Sequence, residues 1–154
     1  MFHHILLPTD GSACARAAQQ LALQLAAGSG ARVTGLYVLP LWHPDYLDAF
    51  AHHDPAFASK QLALFEKLAN EYLSAFAQAA AAAGVACTCR KEHGMAPAAA
   101  IVAAARELGA DLVCMSSHGW EADPAQLMGS VTSRVLHLSE VPVLVHKMGG
   151  RHVR

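Results

Sequence analysis

The feature that most constrains this chain is an alternation running along its whole length. Short apolar runs bounded by turn residues take turns with longer stretches whose apolar residues recur every three or four positions. That pattern is the signature of β-α-β units built on a parallel sheet. Phe2 to Leu7 reads as the first strand, broken by Pro8-Thr9-Asp10-Gly11. Ser12 is suited to cap a helix in which Ala17, Leu21 and Leu25 recur at four-residue spacing, and Gly28-Ser29-Gly30 ends it. Arg32 to Val38 reads as the second strand. Leu39-Pro40 and a loop to about Pro55 follow, carrying Trp42, His43, Tyr46, His52 and His53.

The longest helical pattern runs from Phe57 to Ala83, with Leu62, Phe65, Leu68, Tyr72, Leu73 and Phe76 on its apolar face and Gly84 as terminator. Val85 to Arg90 is a third strand. Pro97 sits in the first turn of a third helix that reaches Leu108 and ends at Gly109. Asp111 to Ser116 is the fourth strand, and a loop from Ser117 to Met128 leads to Gly129-Ser130 and a fourth helix to about Leu138. Val141 to Val145 is the fifth strand, and Pro142 within it argues for a sheet edge. Right-handed crossovers leave few ways to arrange these elements. The order 3-2-1-4-5 gives one parallel five-stranded sheet with helices on both faces, a Rossmann-like or flavodoxin-like α/β fold. Winding then reverses between the first and fourth strands, where ligands of open α/β sheets bind. The loops after Leu7 and after Ser116 are therefore the ones to read for chemistry.

Composition narrows the function classes. Lys plus Arg number 11 against 12 Asp plus Glu, a formal net charge of -1, which offers no electrostatic footprint for nucleic acid or an anionic membrane. Hydrophobic residues make up 54% of the chain, yet 32 of its 154 residues are alanine, so helices are expected to pack closely on the sheet. No apolar run approaches the roughly 20 residues of a membrane-spanning helix. The N-terminus has no basic leader and too short an apolar stretch for a secretory signal, so a cytoplasmic location is expected. Cys14, Cys87, Cys89 and Cys114 then read as buried thiols. The His3-His4 and His52-His53 pairs are adjacent, not at the spacing of helical metal ligands, and no metal site is expected.

After the fourth strand the chain reads Met115-Ser116-Ser117-His118-Gly119, then nine residues, then Gly129-Ser130-Val131-Thr132. Gly119 permits a close approach that a Cβ would forbid. Gly129-Ser130 opens a helix whose first amides are unpaired and whose dipole favours anions, with the Ser130 and Thr132 hydroxyls as added donors. Such a site cradles phosphate without a lysine. Asp10, at the end of the adjacent first strand, can accept from a ribose hydroxyl or a base amine, or help hold a metal on phosphates. Each residue also has a plainer role open to it. Asp10 can fix the turn, Ser130 can cap its helix, and His118 can orient its loop.

These residues resemble the universal stress protein family over essentially Ile5 to Val145. The resemblance includes Pro8-Thr9-Asp10-Gly11-Ser12, Gly94-x-x-Pro97, Ala110-Asp111-Leu112 and Pro142-Val143-Leu144-Val145. ATP-binding members carry Gly, two residues, Gly, nine residues, then Gly-Ser or Gly-Thr. Here Gly119, the spacer and Gly129-Ser130 match, and Ser116 stands at the first glycine. The resemblance implies Asp10 and Val38 at the base and ribose, with Pro8 and Thr9 in the same site. It implies Met115, Ser116, His118 and Gly119 along the nucleotide, and Gly129, Ser130, Val131 and Thr132 at the phosphates. The ligand implied is ATP, AMP or another adenylate, with Mg²⁺ on the phosphates and at most slow hydrolysis. Two departures stand against it: the Ser116 side chain, and Glu121 and Asp123 in the spacer, whose charge repels phosphate unless a cation intervenes. The competing expectation is a dimeric interaction module of the same family that binds no nucleotide and works through a protein partner. The apolar edge strand 141–145 predicts a homodimer, for which the resemblance implies antiparallel pairing across a two-fold axis, in a domain spanning 1–147 with a mobile terminal tail, 148–154.

Overall fold

A computed structural model describes residues 1–41, 54–119 and 128–147. Five strands and four helices alternate within them: β1 (His4–Pro8), α1 (Ala13–Ser29), β2 (Arg32–Pro40), α2 (Phe57–Ala82), β3 (Cys87–Gly94), α3 (Pro97–Leu108), β4 (Leu112–Ser116), α4 (Ser130–Leu138) and β5 (Val143–His146). The sheet is parallel throughout, in the order β3-β2-β1-β4-β5. The expected topology is therefore the observed one. Trp42, His43, Tyr46, His52, His53, Glu121, Asp123 and the tail 148–154 lie outside the described residues.

β1 lies between two strands and under helices on both faces, so Ile5, Leu6 and Leu7 have no exposed surface. On one face Ile5, Leu7, Val33 and Cys114 meet Ala22 and Leu23 of α1 and Phe76 and Ala80 of α2. On the other, Leu6, Leu36, Val113 and Met115 meet Ala98, Ile101 and Ala104 of α3 and Val135 of α4. The alternation of side chains along each strand sorts them between these two cores. Ser12 caps α1 as the sequence indicates, its Oγ accepting from Ala15 N at 3.1 Å.

The edge strands depart from expectation. β3 runs from Cys87 to Gly94, starting two residues after Val85 and continuing past Arg90 through Lys91-Glu92-His93, in unbroken register with β2. An edge strand can carry charge because half its surface meets solvent, so the end of its apolar run is not the end of its pairing. β5 begins at Val143, after Pro142, whose carbonyl accepts from Val113 N at 3.0 Å. Proline keeps its acceptor role while its missing N–H keeps it off the ladder. The cysteines divide: Cys114 is buried and its thiol is pushed up to about 11 by that burial, whereas Cys89, on the edge strand, is exposed. The expectation of four buried thiols holds for Cys114 alone: Cys14 and Cys87 are half-buried, and Cys89 is exposed on a strand with no neighbour on its outer side.

At the amino ends of the strands, opposite the switch point, His4 is buried in a polar chain. Its Nδ1 lies 3.1 Å from Leu108 O and 3.2 Å from the Arg32 guanidinium, and its Nε2 lies 2.8 Å from the Thr34 hydroxyl. Thr34 Oγ1 in turn pairs with Thr88 Oγ1 at 2.8 Å. Burial and the nearby Arg32 hold His4 below its ordinary value of 6.5. As pH falls the unfolded chain therefore takes up this proton before the folded one does. Stability is level with respect to this group above about 6.5 and declines below it. Urea denaturation across this range is expected to show that decline, with a shallower slope in His4→Gln.

Candidate functional site

β1 pairs with β4 through Ile5–Leu112 and Leu6–Val113, so the turn after β1 and the loop after β4 leave the sheet side by side. In the first, Thr9 N donates to Leu36 O at 2.9 Å, Thr9 Oγ1 accepts from Gly11 N at 3.1 Å, and Asp10 Oδ1 accepts from Ser12 N at 2.9 Å. Arg16 folds back from α1 and donates to Gly11 O at 2.6 Å. A cation in the first turn opposes the helix dipole, so nothing in the sequence pointed to Arg16; its role is to clamp this turn.

In the second loop the hydroxyls turn inward. Ser116 Oγ donates to His118 O at 2.7 Å, and Ser117 Oγ pairs with His118 Nδ1 at 3.0 Å. Ser116 thus spends its hydroxyl on the turn that the expected glycine would leave bare. Ser117, within the Met115–Gly119 stretch, donates its N–H to His146 O at 2.9 Å, and its carbonyl accepts from Gly129 N at 2.7 Å, tying the loop to β5 and to the start of α4. Thr132 is 4% exposed and its Oγ1 donates to Ser116 O at 2.8 Å, so it anchors α4 to β4.

Across the switch point Asp10 and Gly119 meet. A Cβ on Gly119 would overlap Asp10 Oδ2, so only glycine lets the carboxylate lie against this backbone. Gly129 precedes α4 in extended conformation and makes no side-chain cap, leaving the first-turn amides without the hydroxyl partner that α1 receives from Ser12. Ser130 and Val131 of that turn are exposed. Met115 is buried, and Val38 is half-buried in the same core. Because Pro8 aligns with Leu36, Val38 extends past the end of β1 toward this side. Behind Asp10, burial first, then Tyr72 and the Asp10 charge, push the Tyr37 hydroxyl above its ordinary value. All twelve residues expected at the site thus lie at the carboxyl ends of β1, β2 and β4 or at the head of α4. Among the described residues no three His, Cys, Asp or Glu side chains gather as a metal site.

This arrangement is also what the comparisons match. The model of the universal stress protein family fits residues 1–147. The chain belongs to the universal stress protein family. No curated protein matches it in sequence. Among solved structures, universal stress protein UspA from Lactobacillus plantarum is similar at 25% identity over 93% of this chain and 96% of its own, TM-score 0.79. A protein of the universal stress protein family from Burkholderia pseudomallei is 29% identical over 93% of this chain and 94% of its own, TM-score 0.70. A universal stress protein in complex with cAMP is 25% identical over 94% of this chain and 97% of its own, TM-score 0.69. Among its described residues this universal stress protein has no helix long and apolar enough to cross a membrane.

Replacing Thr132 by valine keeps the shape of the side chain and leaves the Ser116 carbonyl without its donor. Thr132→Val is expected to lower the unfolding free energy by about 1–3 kcal/mol, measured by urea denaturation.

Proposed function

We propose that this universal stress protein binds an adenine nucleotide across the carboxyl ends of β1 and β4 and acts in stress response or signalling through that bound state. The observation that carries the reading is the meeting of Asp10 with Gly119 beside the uncapped head of α4. A carboxylate suited to ribose hydroxyls and a set of open amides suited to phosphate then stand on either side of a backbone with no Cβ between them. The similar protein in complex with cAMP supports an adenylate as the ligand class.

In this reading Val38 and Met115 offer apolar surface to the base, with Pro8 and Thr9 fixing the turn that carries Asp10. Asp10 accepts from the ribose. Gly129 and the first-turn amides of Ser130 and Val131, with the Ser130 hydroxyl, hold phosphate. The engaged hydroxyls of Ser116 and Thr132 shape the floor of the site and donate nothing to the ligand. His118, paired through Nδ1 to Ser117, orients the loop. The ligand is ATP, AMP or a related adenylate; Mg²⁺ would ride on the phosphates and offset the charge of Glu121 and Asp123. In this reading hydrolysis is at most slow.

Calorimetric titration with ATP and AMP in the presence of Mg²⁺ is expected to give saturable heat, with Asp10→Ala weakening binding by roughly ten-fold or more. Gly129→Val, whose Cβ would crowd Ser117 O at 3.3 Å, is expected to weaken it further. Absence of heat at millimolar nucleotide would sink the adenylate reading and leave the partner-binding module.

That module rests on one observation of its own. β5 is an edge strand whose Val143, Leu144 and Val145 are only half-buried, and an apolar edge left bare invites pairing. A homodimer through 141–145 covers it, with the same strand contributed by each copy. Light scattering is expected to give the mass of a dimer, and Val145→Lys to shift it to a monomer. A monomeric wild type at tens of micromolar would contradict the pairing.

A further inference from the structure

The two faces of the sheet carry their helices differently. α3 and α4 pack closely on each other, whereas α1 and α2, on the opposite face, approach each other less closely. Between α1 and α2 is a cleft of about 120 Å³. Its width has a cause in the sequence: α2 borders it with Ala75 and Ala79, one turn apart, where larger side chains would fill the space. Leu23, Tyr72 and Phe76 supply the rest of its apolar wall. At its end the Tyr72 ring sits against Gly11, which has φ +78° and no room for a Cβ.

Thr9, Arg16, Gln19 and Gln20 give the cleft a polar side, and among them Gln19 stands out. Gln19 of α1 is 8% exposed, and its Nε2 is buried with no hydrogen-bond partner among the described residues. Buried polar atoms of this kind are rare because the lost hydration is not repaid. Two of its polar neighbours bond to the turn after β1: Thr9 Oγ1 accepts from Gly11 N, and Arg16 donates to Gly11 O. The volume of the cleft suits a benzene-sized ring against its apolar side.

We propose that this cleft binds a small neutral ring compound bearing a hydroxyl group, the ring lying among Leu23, Tyr72, Phe76 and the two alanines and the hydroxyl meeting the Gln19 amide. A hydroxyl suits this position because it accepts from Nε2–H and, with the amide turned over, donates to Oε1 equally well. A neutral hydroxyl makes no demand on Arg16, which lines the same cleft and donates to Gly11 O. The site lies on the face opposite α4, so it stands whether or not the adenylate reading holds.

Phenol is the probe, with toluene as its counterpart lacking the hydroxyl. Titration of the full chain followed by ¹H–¹⁵N correlation spectra is expected to shift amides of residues 16–23 and 72–79, the segments that border the cleft. A ligand of about seven non-hydrogen atoms is expected to bind in roughly the millimolar range. Toluene is expected to bind roughly five- to ten-fold more weakly, and Gln19→Leu to bring phenol down to the toluene value. Ala79→Leu, at an exposed helix position, fills the cleft and is expected to abolish the shifts while leaving the adenylate titration unchanged; Ala75→Leu serves if that variant does not fold. No localised shifts at tens of millimolar phenol, equal affinity for phenol and toluene, or phenol binding that persists in the filled variant would each overturn the proposal.

Discussion

The complete burial of β1 is the constraint on which the rest of the molecule depends. Ile5, Leu6 and Leu7 are shut off from water on both faces, and the strand pairs with β2 on one side and β4 on the other. A backbone buried in this way must satisfy its N–H and C=O groups within the sheet, so β1 can only be central. Once it is central, crossovers of one hand send α1 and α2 to one face and α3 and α4 to the other. The chain leaving β1 and the chain leaving β4 then part at the same place. That parting makes room for Asp10 against Gly119, and no side chain contact elsewhere in the fold is needed to create it.

What surrounds that place is built from short side chains and backbone. Ser116, Ser117 and Thr132 direct their hydroxyls at neighbouring carbonyls or at His118, and Gly129 donates to Ser117. These bonds fix the floor and orient the head of α4. The low charge of the chain, 15% Asp, Glu, Lys and Arg, thereby acquires a meaning that composition alone did not have. Open amides and a helix dipole need few cations around them, so a near-neutral balance does not speak against an anionic ligand. The same economy in side-chain size has the opposite effect on the other face, where Ala75 and Ala79 leave α1 and α2 apart.

Much of the fold was legible because its signals are local. Pro97 at the start of α3, Ser12 at the cap of α1 and Gly109 at the end of α3 act within a few residues of themselves. The periodicity of buried positions gave both helix-bearing faces for the same reason. The edges of the sheet were harder. Lys91, Glu92 and His93 extend β3 because β2 continues beside them to Pro40, a fact about a neighbour that no stretch of β3 encodes. Cys89 is exposed for the same reason: whether a thiol on a strand is covered depends on what lies alongside, not on its apolar flanks.

The resemblance named the residues expected at the site, and the structure sets the hydrogen bonds that two of them make. Ser116 read as an obstruction and proves to be a hydrogen-bond donor to its own loop; Thr132 read as a phosphate donor and proves to be an anchor. Sequence by itself determined the alternation of elements, the Ser12 cap of α1 and the Gly109 end of α3, the topology and which residues gather at the carboxyl ends of the strands, because each rests on local propensity or on the handedness of crossovers; Ser130, which could have capped α4, is instead its first residue behind Gly129. Only the tertiary structure decided which hydroxyls are spent, which thiol is open and that Gln19 faces a cleft without a partner. Those outcomes are set by distances between atoms far apart in the chain, and hydrogen bonding is a matter of such distances.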